Sequence, residues 1–235
     1  MHLQRFFGEF DLAGRALRVT DRELLSQWKN VLRLKAGDRV VLADGAGNES
    51  VAALRSFTKD GAEFDILERM RNFAEPARQV VLYCAILKRE NFEFVAQKAT
   101  EAGVADIVPL VTGRTVKLGM KLERLEKIIK EAAEQSGRGI VPRLRAPVSF
   151  QDAVDMAAED GRLNLFFHTD GAAGLPNDIS EAEEVNVWIG PEGGWDEAEA
   201  AAARFAEFRF TSLGLLTLRA ETAAVIATYL VAHGE

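Results

Sequence analysis

A single cysteine, Cys84, stands among 235 residues. One thiol excludes an internal disulfide and any cysteine-based metal cluster. It lies inside the apolar run Val80–Leu87 and reads as a core residue. The three histidines, His2, His168 and His233, have no metal-ligand spacing, so no metal is expected. No run of 18 or more apolar residues occurs, so no membrane-spanning helix is expected. The opening stretch from Met1 to Phe10 carries Arg5 and Glu9 and does not read as a signal peptide. These absences point to the cytoplasm. The phosphate-cradling patterns GxGxxG and GxxxxGK[ST] are missing too, which argues against a conventional dinucleotide or P-loop site. Finally, the chain lacks a positive balance: its net charge is -7, which taken alone speaks against a nucleic-acid partner.

What is present changes that picture. Hydrophobic residues make up 48% of the chain and charged ones 28%, enough for a real core under an ordinary surface. The charge is unevenly spread. Residues 1–39 hold eight Lys/Arg against five Asp/Glu, and residues 110–150 hold nine against four. Residues 151–207 hold two against fourteen. A chain polarised in this way can present basic patches to a polyanion while staying acidic overall; solvated helix faces would give the same counts.

The first 70 residues read as mostly β, with strands at Arg39–Ala43, Ser50–Phe57 and Ala62–Glu68 and turns at Asp44–Asn48 and Lys59–Gly61. They suggest a small barrel. Residues 71–78 serve as a linker. From residue 79 to 235 strands alternate with helices. The strands are Val80–Leu87, Ile107–Val111, Leu163–Phe167, Val185–Ile189 and Phe208–Ser212. The helices are Glu90–Ala102 closed by Gly103, Lys121–Ser136, Phe150–Glu159, Asp196–Phe205 and Glu221–His233. This order predicts an α/β fold with a mostly parallel sheet covered on both faces, and ligands then bind at the carboxyl ends of the strands.

Three strand ends hold the candidate chemistry. Ile189-Gly190-Pro191-Glu192-Gly193-Gly194 follows a buried strand and precedes a helix near Asp196. Glycines let backbone N–H groups approach a ligand beside a helix start; a tight turn capped by Asp196 is the plain alternative. Leu213-Gly214-Leu215-Leu216-Thr217-Leu218-Arg219-Ala220-Glu221 repeats the arrangement. Its leucines could line an adenine pocket, and Arg219 and Glu221 open an apolar helix, where Glu221 also suits the helix dipole. His168 ends the third strand, as a hydrogen-bonding group of the site or as a structural residue. Arg114 and Arg138, in a loop and at a helix end, could contact phosphates or a partner subunit. Trp28 and Trp195 fit either core or surface.

In order along the chain stand Arg5-Phe6-Phe7, Val31-Leu32-Arg33-Leu34-Lys35 with Gly37-Asp38, and Asp44-Gly45. Next come Gln97-Lys98-Ala99-Thr100-Glu101-Ala102-Gly103-Val104, Arg114, and Glu134-Gln135 with Arg138. Ile189 to Gly194 and Leu213-Gly214 through Leu218-Arg219-Ala220-Glu221-Thr222-Ala223 close the set. Together they resemble the RsmE family of 16S rRNA uridine-N3 methyltransferases, within the SPOUT superfamily. One departure is visible: the family commonly has a histidine before Val31, where this chain reads Ser26-Gln27-Trp28-Lys29-Asn30.

The resemblance implies a PUA-like RNA-binding β-barrel over 1–70 and a SPOUT domain with a deep trefoil knot over 79–235. It implies a homodimer, with S-adenosylmethionine (SAM) against His168, Gly190, Pro191, Glu192, Gly193, Gly194, Leu213, Gly214 and Leu218. Arg5, Arg33, Arg114 and Arg138 would meet 16S rRNA within the small ribosomal subunit. Arg219 and Glu221 would handle the weakly acidic N3–H of uracil, Arg219 by stabilising the anion and Glu221 by accepting the proton or by anchoring Arg219. A ribosome-assembly factor without catalysis, or a methyltransferase acting on another rRNA base or on a ribose, are the competing readings.

Overall fold

The computed structural model describes residues 3–72, 74–115 and 119–234. They form two compact units, 1–75 with 133–141, and 76–132 with 142–235.

In the first unit, strands β1 (Arg5–Phe7), β2 (Ala16–Val19), β3 (Arg39–Ala43), β4 (Asn48–Phe57) and β5 (Ala62–Arg71) lie in the order β1-β3-β4-β5-β2. Only β1 and β3 run parallel. Register shifts between Val51 and Ala52 and between Leu54 and Ser56 add local twist and curl the long β4–β5 hairpin. Asp21 caps the short helix α1 (Arg22–Ser26) by accepting from the N–H groups of Glu23 and Leu24. The chain then widens into one π-type turn, Gln27–Val31, closed by Leu32 N–H to Gln27 O at 2.9 Å, within which Trp28 is buried. Trp28 is fully buried edge-on between Phe6 and Phe64, with ring centroids 5.5 and 5.0 Å away. Such a core anchor accounts for the tryptophan, and replacing it by alanine costs about 3–5 kcal/mol.

This unit differs from the continuous 1–70 segment expected. Strand β5 runs on to Arg71, and a distant stretch, 133–141, joins the sheet. Ala46 bridges Ile140, Gly47 N–H donates to Gly139 O at 3.0 Å, and Phe7, Ala43 and Ala133 form a small apolar cluster. The Glu75 carboxylate accepts from Arg138 and from the N–H groups of Gly139 and Ile140. Gly139 tolerates no side chain, because a Cβ there would collide with Asn72.

The second unit is a wholly parallel sheet. Its strands are β6 (Gln79–Ala85), β7 (Asp106–Val111), β8 (Arg143–Leu144), β9 (Val148–Ser149), β10 (Leu163–Ala173), β11 (Glu184–Ile189) and β12 (Arg209–Ser212). The order is β12-β10-β11-β6-β7-β8, with β9 also paired to β7. Helices α2 (Arg89–Glu101), α3 (Leu122–Ser136), α4 (Phe150–Glu159), α5 (Glu197–Phe205) and α6 (Ala220–His233) belong to this alternating stretch, the last turn of α3 counting with the first unit. This is the α/β class read from the alternation. The near-continuous apolar strands are buried because helices cover a parallel sheet on both faces. Tyr83 stacks on Trp188 at 4.1 Å, and Phe150, Phe166, Trp195 and Phe208 complete one aromatic core. Among the described residues no helix is long and apolar enough to cross a membrane.

Strand β10 is longer than the run Leu163–Phe167 predicted from apolarity. Its register against β12 shifts between Phe167 and Ala172, and Gly171 lies so close to Thr211 that a Cβ would clash. His168, Thr169 and Asp170 therefore sit in a bulge inside a strand rather than after one. After the edge strand β12, the chain returns as α6 to the middle of the sheet, packing on α2, β6 and β11.

Candidate functional site

At the carboxyl ends of β10, β11 and β12 the second unit opens into a cavity of about 840 Å³. Parallel strands deliver their loops to one edge, which is where open α/β sheets bind ligands. The β10 bulge contributes Phe167, His168 and Thr169. The turn after β11 contributes Gly190, Pro191, Glu192, Gly193, Gly194 and Trp195. The turn after β12 contributes Leu213, Gly214, Leu216 and Leu218, followed by Arg219 and Glu221 at the start of α6. All nine residues expected to hold a cofactor and both expected catalytic residues thus meet in one place.

The first glycine turn is firmly built. Gly194 takes φ +71°, a conformation that costs glycine nothing, and its N–H donates to Pro191 O at 2.8 Å. Gly190 lies against the Trp195 ring, whose Nε1 donates to Phe167 O at 3.1 Å. Trp195 is therefore a buried wall of the cavity. Asp196 caps α5 in a reciprocal capping box with Glu199.

The second turn is open. Leu213, Leu216 and Leu218 line the cavity, while Leu215, read from sequence with them, is fully exposed and outside the lining. Arg219 is the N-cap residue of α6, and its side chain is 86% exposed. Its Nη1 stands 4.0 Å from Glu221 Oε1. The Glu221 side chain is only 13% exposed, and its buried Oε2 has no hydrogen-bond partner among the described residues. A buried carboxylate oxygen without a partner is costly, so the residue that carries it is kept for a reason other than stability. His168 Nδ1 accepts from the Asp170 N–H at 3.1 Å, which orients the ring at the cavity wall.

Two expected RNA contacts need correction. The Arg138 side chain is 6% exposed and paired with Glu75, and Arg5 is paired with Glu49 at 2.8 Å with its own side chain 12% exposed. A desolvated, paired guanidinium has no free face for a phosphate, so both serve the interior of the first unit. Arg33 is exposed and holds φ +54°, rare for a residue with a side chain. Arg114 lines the cavity and donates from Nη1 to Gly193 O. Sequence reading missed Lys88 and Asn91, which border the cavity after β6, and Glu199, which lies outside the lining in the capping box of α5. The Asp196-x-x-Glu199 spacing carried the signal for the last. Cys84, buried at the end of β6, has its thiol pushed far up by burial and by the nearby Glu192 and Glu221 carboxylates, so it stays a neutral core group. Among the described residues no cluster of His, Cys, Asp or Glu is arranged to hold a metal ion.

A family model described as an RNA methyltransferase domain matches residues 74–232, most of the chain. The chain belongs to this RNA methyltransferase family. Residues 29–67 match the model of the RNA methyltransferase PUA domain. Among relatives of this methyltransferase, the ribosomal RNA small subunit methyltransferase E of Mesomycoplasma hyopneumoniae is 34% identical over 167 residues, 68% of this chain and 72% of the relative. That of Synechocystis is 35% identical over 205 residues, 85% of this chain and 67% of the relative. The crystal structure of the Neisseria gonorrhoeae ribosomal RNA small subunit methyltransferase E, bound to S-adenosyl methionine, superposes with a TM-score of 0.89 at 30% identity. The likeness covers 97% of this chain and 95% of that one.

Proposed function

We propose that this protein transfers the methyl group of SAM to N3 of a uridine in 16S rRNA. The observation that carries the reading is the convergence of the Gly190–Gly194 and Leu213–Leu218 turns on one cavity that Arg219 and Glu221 also line. The cavity suits SAM: glycines offer backbone approach, and Leu213, Leu216 and Leu218 offer an apolar seat for an adenine. SAM supplies an electrophilic methyl group on a sulfonium. Everything else is asked of the chain. Uracil N3 is a poor nucleophile until its proton leaves. The Glu221 carboxylate accepts that proton, and the Arg219 guanidinium, at the mouth of the cavity, stabilises the resulting anion. Holding donor and base in line contributes about 7–11 kcal/mol in favourable cases.

The same reading assigns the first unit, 1–75 with 133–141, to a PUA-like RNA-binding barrel and the second, 76–132 with 142–235, to the SPOUT methyltransferase domain. In this reading, the return of α6 from the sheet edge to its middle is one part of the trefoil knot that the resemblance implies. Arg33, exposed in a left-handed backbone conformation, is the RNA contact that the first unit best supports. A homodimer accounts for the exposed apolar face of α6, where Ile226, Tyr229 and Leu230 fall at helical spacing. The substrate is RNA of the small ribosomal subunit in the cytoplasm.

Calorimetric titration with SAM, followed by nucleoside analysis of small-subunit RNA, tests the reading. Saturable binding and 3-methyluridine are expected. A methylated base or ribose of another kind would overturn the N3 assignment, and a folded protein that bound no SAM with or without RNA would overturn the enzyme.

A further inference from the structure

We infer that Glu199 and Arg114 are positioning residues for the transfer, locking the Gly193–Gly194 peptide in the orientation that receives the methyl donor. The inference rests on the SAM reading above and adds roles to two residues that reading leaves unused.

An ordinary capping box occupies one oxygen of its glutamate. The buried Glu199 uses both. Its Oε2 accepts from the Asp196 N–H at 2.9 Å, and its Oε1 accepts from the Gly113 N–H at 2.8 Å. The start of α5 is thereby tied to the turn after β7. That turn is itself closed: Thr115 N–H donates to Thr112 O at 3.1 Å, and Thr112 N–H donates to Thr115 Oγ1 at 2.9 Å. A Cβ at Gly113 would push on Asp196 Oδ2, the end of the side chain that caps α5. The backbone of Arg114 is thus fixed, and from there its Nη1 reaches Gly193 O.

The consequence falls on one peptide plane. Its carbonyl, Gly193 O, is held by Arg114, and its N–H, on Gly194, is held by Pro191 O at 2.8 Å. A planar peptide gripped at both ends cannot rotate without breaking both bonds. Two consecutive glycines would otherwise be the loosest backbone in the site. Fixing them before the ligand arrives removes an ordering cost from binding. A phosphate contact by Arg114, the competing role, would show itself in RNA affinity and its salt dependence instead.

The test compares Arg114→Ala, Arg114→Lys and Glu199→Gln with the unaltered protein. SAM affinity is measured by calorimetry, kcat and KM for SAM by methyl transfer, RNA affinity at several salt concentrations, and Gly194 amide exchange without ligand. In Arg114→Ala, SAM affinity should fall about tenfold, as expected for a lost charge-assisted bond. KM for SAM should rise alongside, RNA affinity should hold, and the Gly194 amide should exchange faster. Arg114→Lys, which keeps a donor, should recover part of the loss, and Glu199→Gln should move in the same direction as Arg114→Ala. Unchanged SAM affinity and exchange in Arg114→Ala, with the RNA salt slope reduced by about one, would overturn the inference in favour of a phosphate contact. If the unaltered protein bound no SAM, the proposed function would fail by itself, and the exchange rates would still decide whether Arg114 braces the turn.

Discussion

The two turns that meet in the cavity are built on opposite plans. The one after β11 is closed on itself by Gly194 N–H to Pro191 O and tied to two other parts of the unit, to Phe167 through Trp195 and to Arg114 through Gly193. Among the described residues, no hydrogen bond ties down Leu213–Leu218, and Leu215 and Leu216 stand in solvent. One turn is firmly braced before any ligand arrives; the other is an exposed apolar segment with no hydrogen bond of its own among the described residues. A site made this way can hold the polar end of a ligand in fixed geometry while its greasy side closes on whatever arrives.

The largest way to break the contrast is to destroy the braced turn. Replacing Gly193 and Gly194 together by valine forces a β-branched residue into a positive-φ backbone, and SAM binding should fall by at least about 100-fold by calorimetry. Next, Arg219→Ala should lower kcat by about 10²–10³, with SAM affinity held within a few-fold. Its thermal unfolding should match the unaltered protein, since the side chain is 86% exposed. Equal turnover by that variant would remove Arg219 from the chemistry. Smaller effects sharpen the apolar segment. Leu218→Ser should weaken SAM binding by roughly 1–2 kcal/mol of lost apolar contact. Leu215→Ser, outside the cavity lining, should leave SAM affinity unchanged by the same titration. The smallest effect is at Cys84. Its buried, proton-retaining thiol should resist iodoacetamide at neutral pH until the protein unfolds, so that labelling before the unfolding transition would contradict its place in the core.

The second unit was readable because its strands are buried on both faces and its helices are amphipathic, two signals that survive in one sequence. Phe150–Glu159 was placed to the residue, and α2, α5 and α6 to within a residue or two. The cavity edge is legible for a related reason: a glycine-rich turn after a buried strand marks the carboxyl end of that strand, whether it serves a ligand or only the turn. What escaped was tertiary. Nothing local announces that His168 lies in a bulge, because the register shift is set by Thr211 on another strand. Basic residues at Arg5 and Arg138 look the same in sequence whether they face phosphate or a buried carboxylate; Glu49 and Glu75 decide it. Leu215 shares its composition with its neighbours and parts from them only in direction.

The late segment in the first unit sets a timetable for synthesis. Phe7 N–H needs the carboxylate of Glu134, Asn72 needs the carbonyl of Gly137, and Glu75 needs Arg138. A nascent chain that has emerged only as far as residue 75 holds the five strands but none of these partners. At roughly 5–20 residues per second, the interval until residue 141 is made lasts on the order of 3–13 s. Throughout that interval the Glu75 carboxylate and the apolar face of Phe7 and Ala43 wait uncovered. The amino-terminal module is therefore first to be translated yet cannot be first to finish folding, and a fragment that stops at its last strand should be less stable than the same strands within the whole chain.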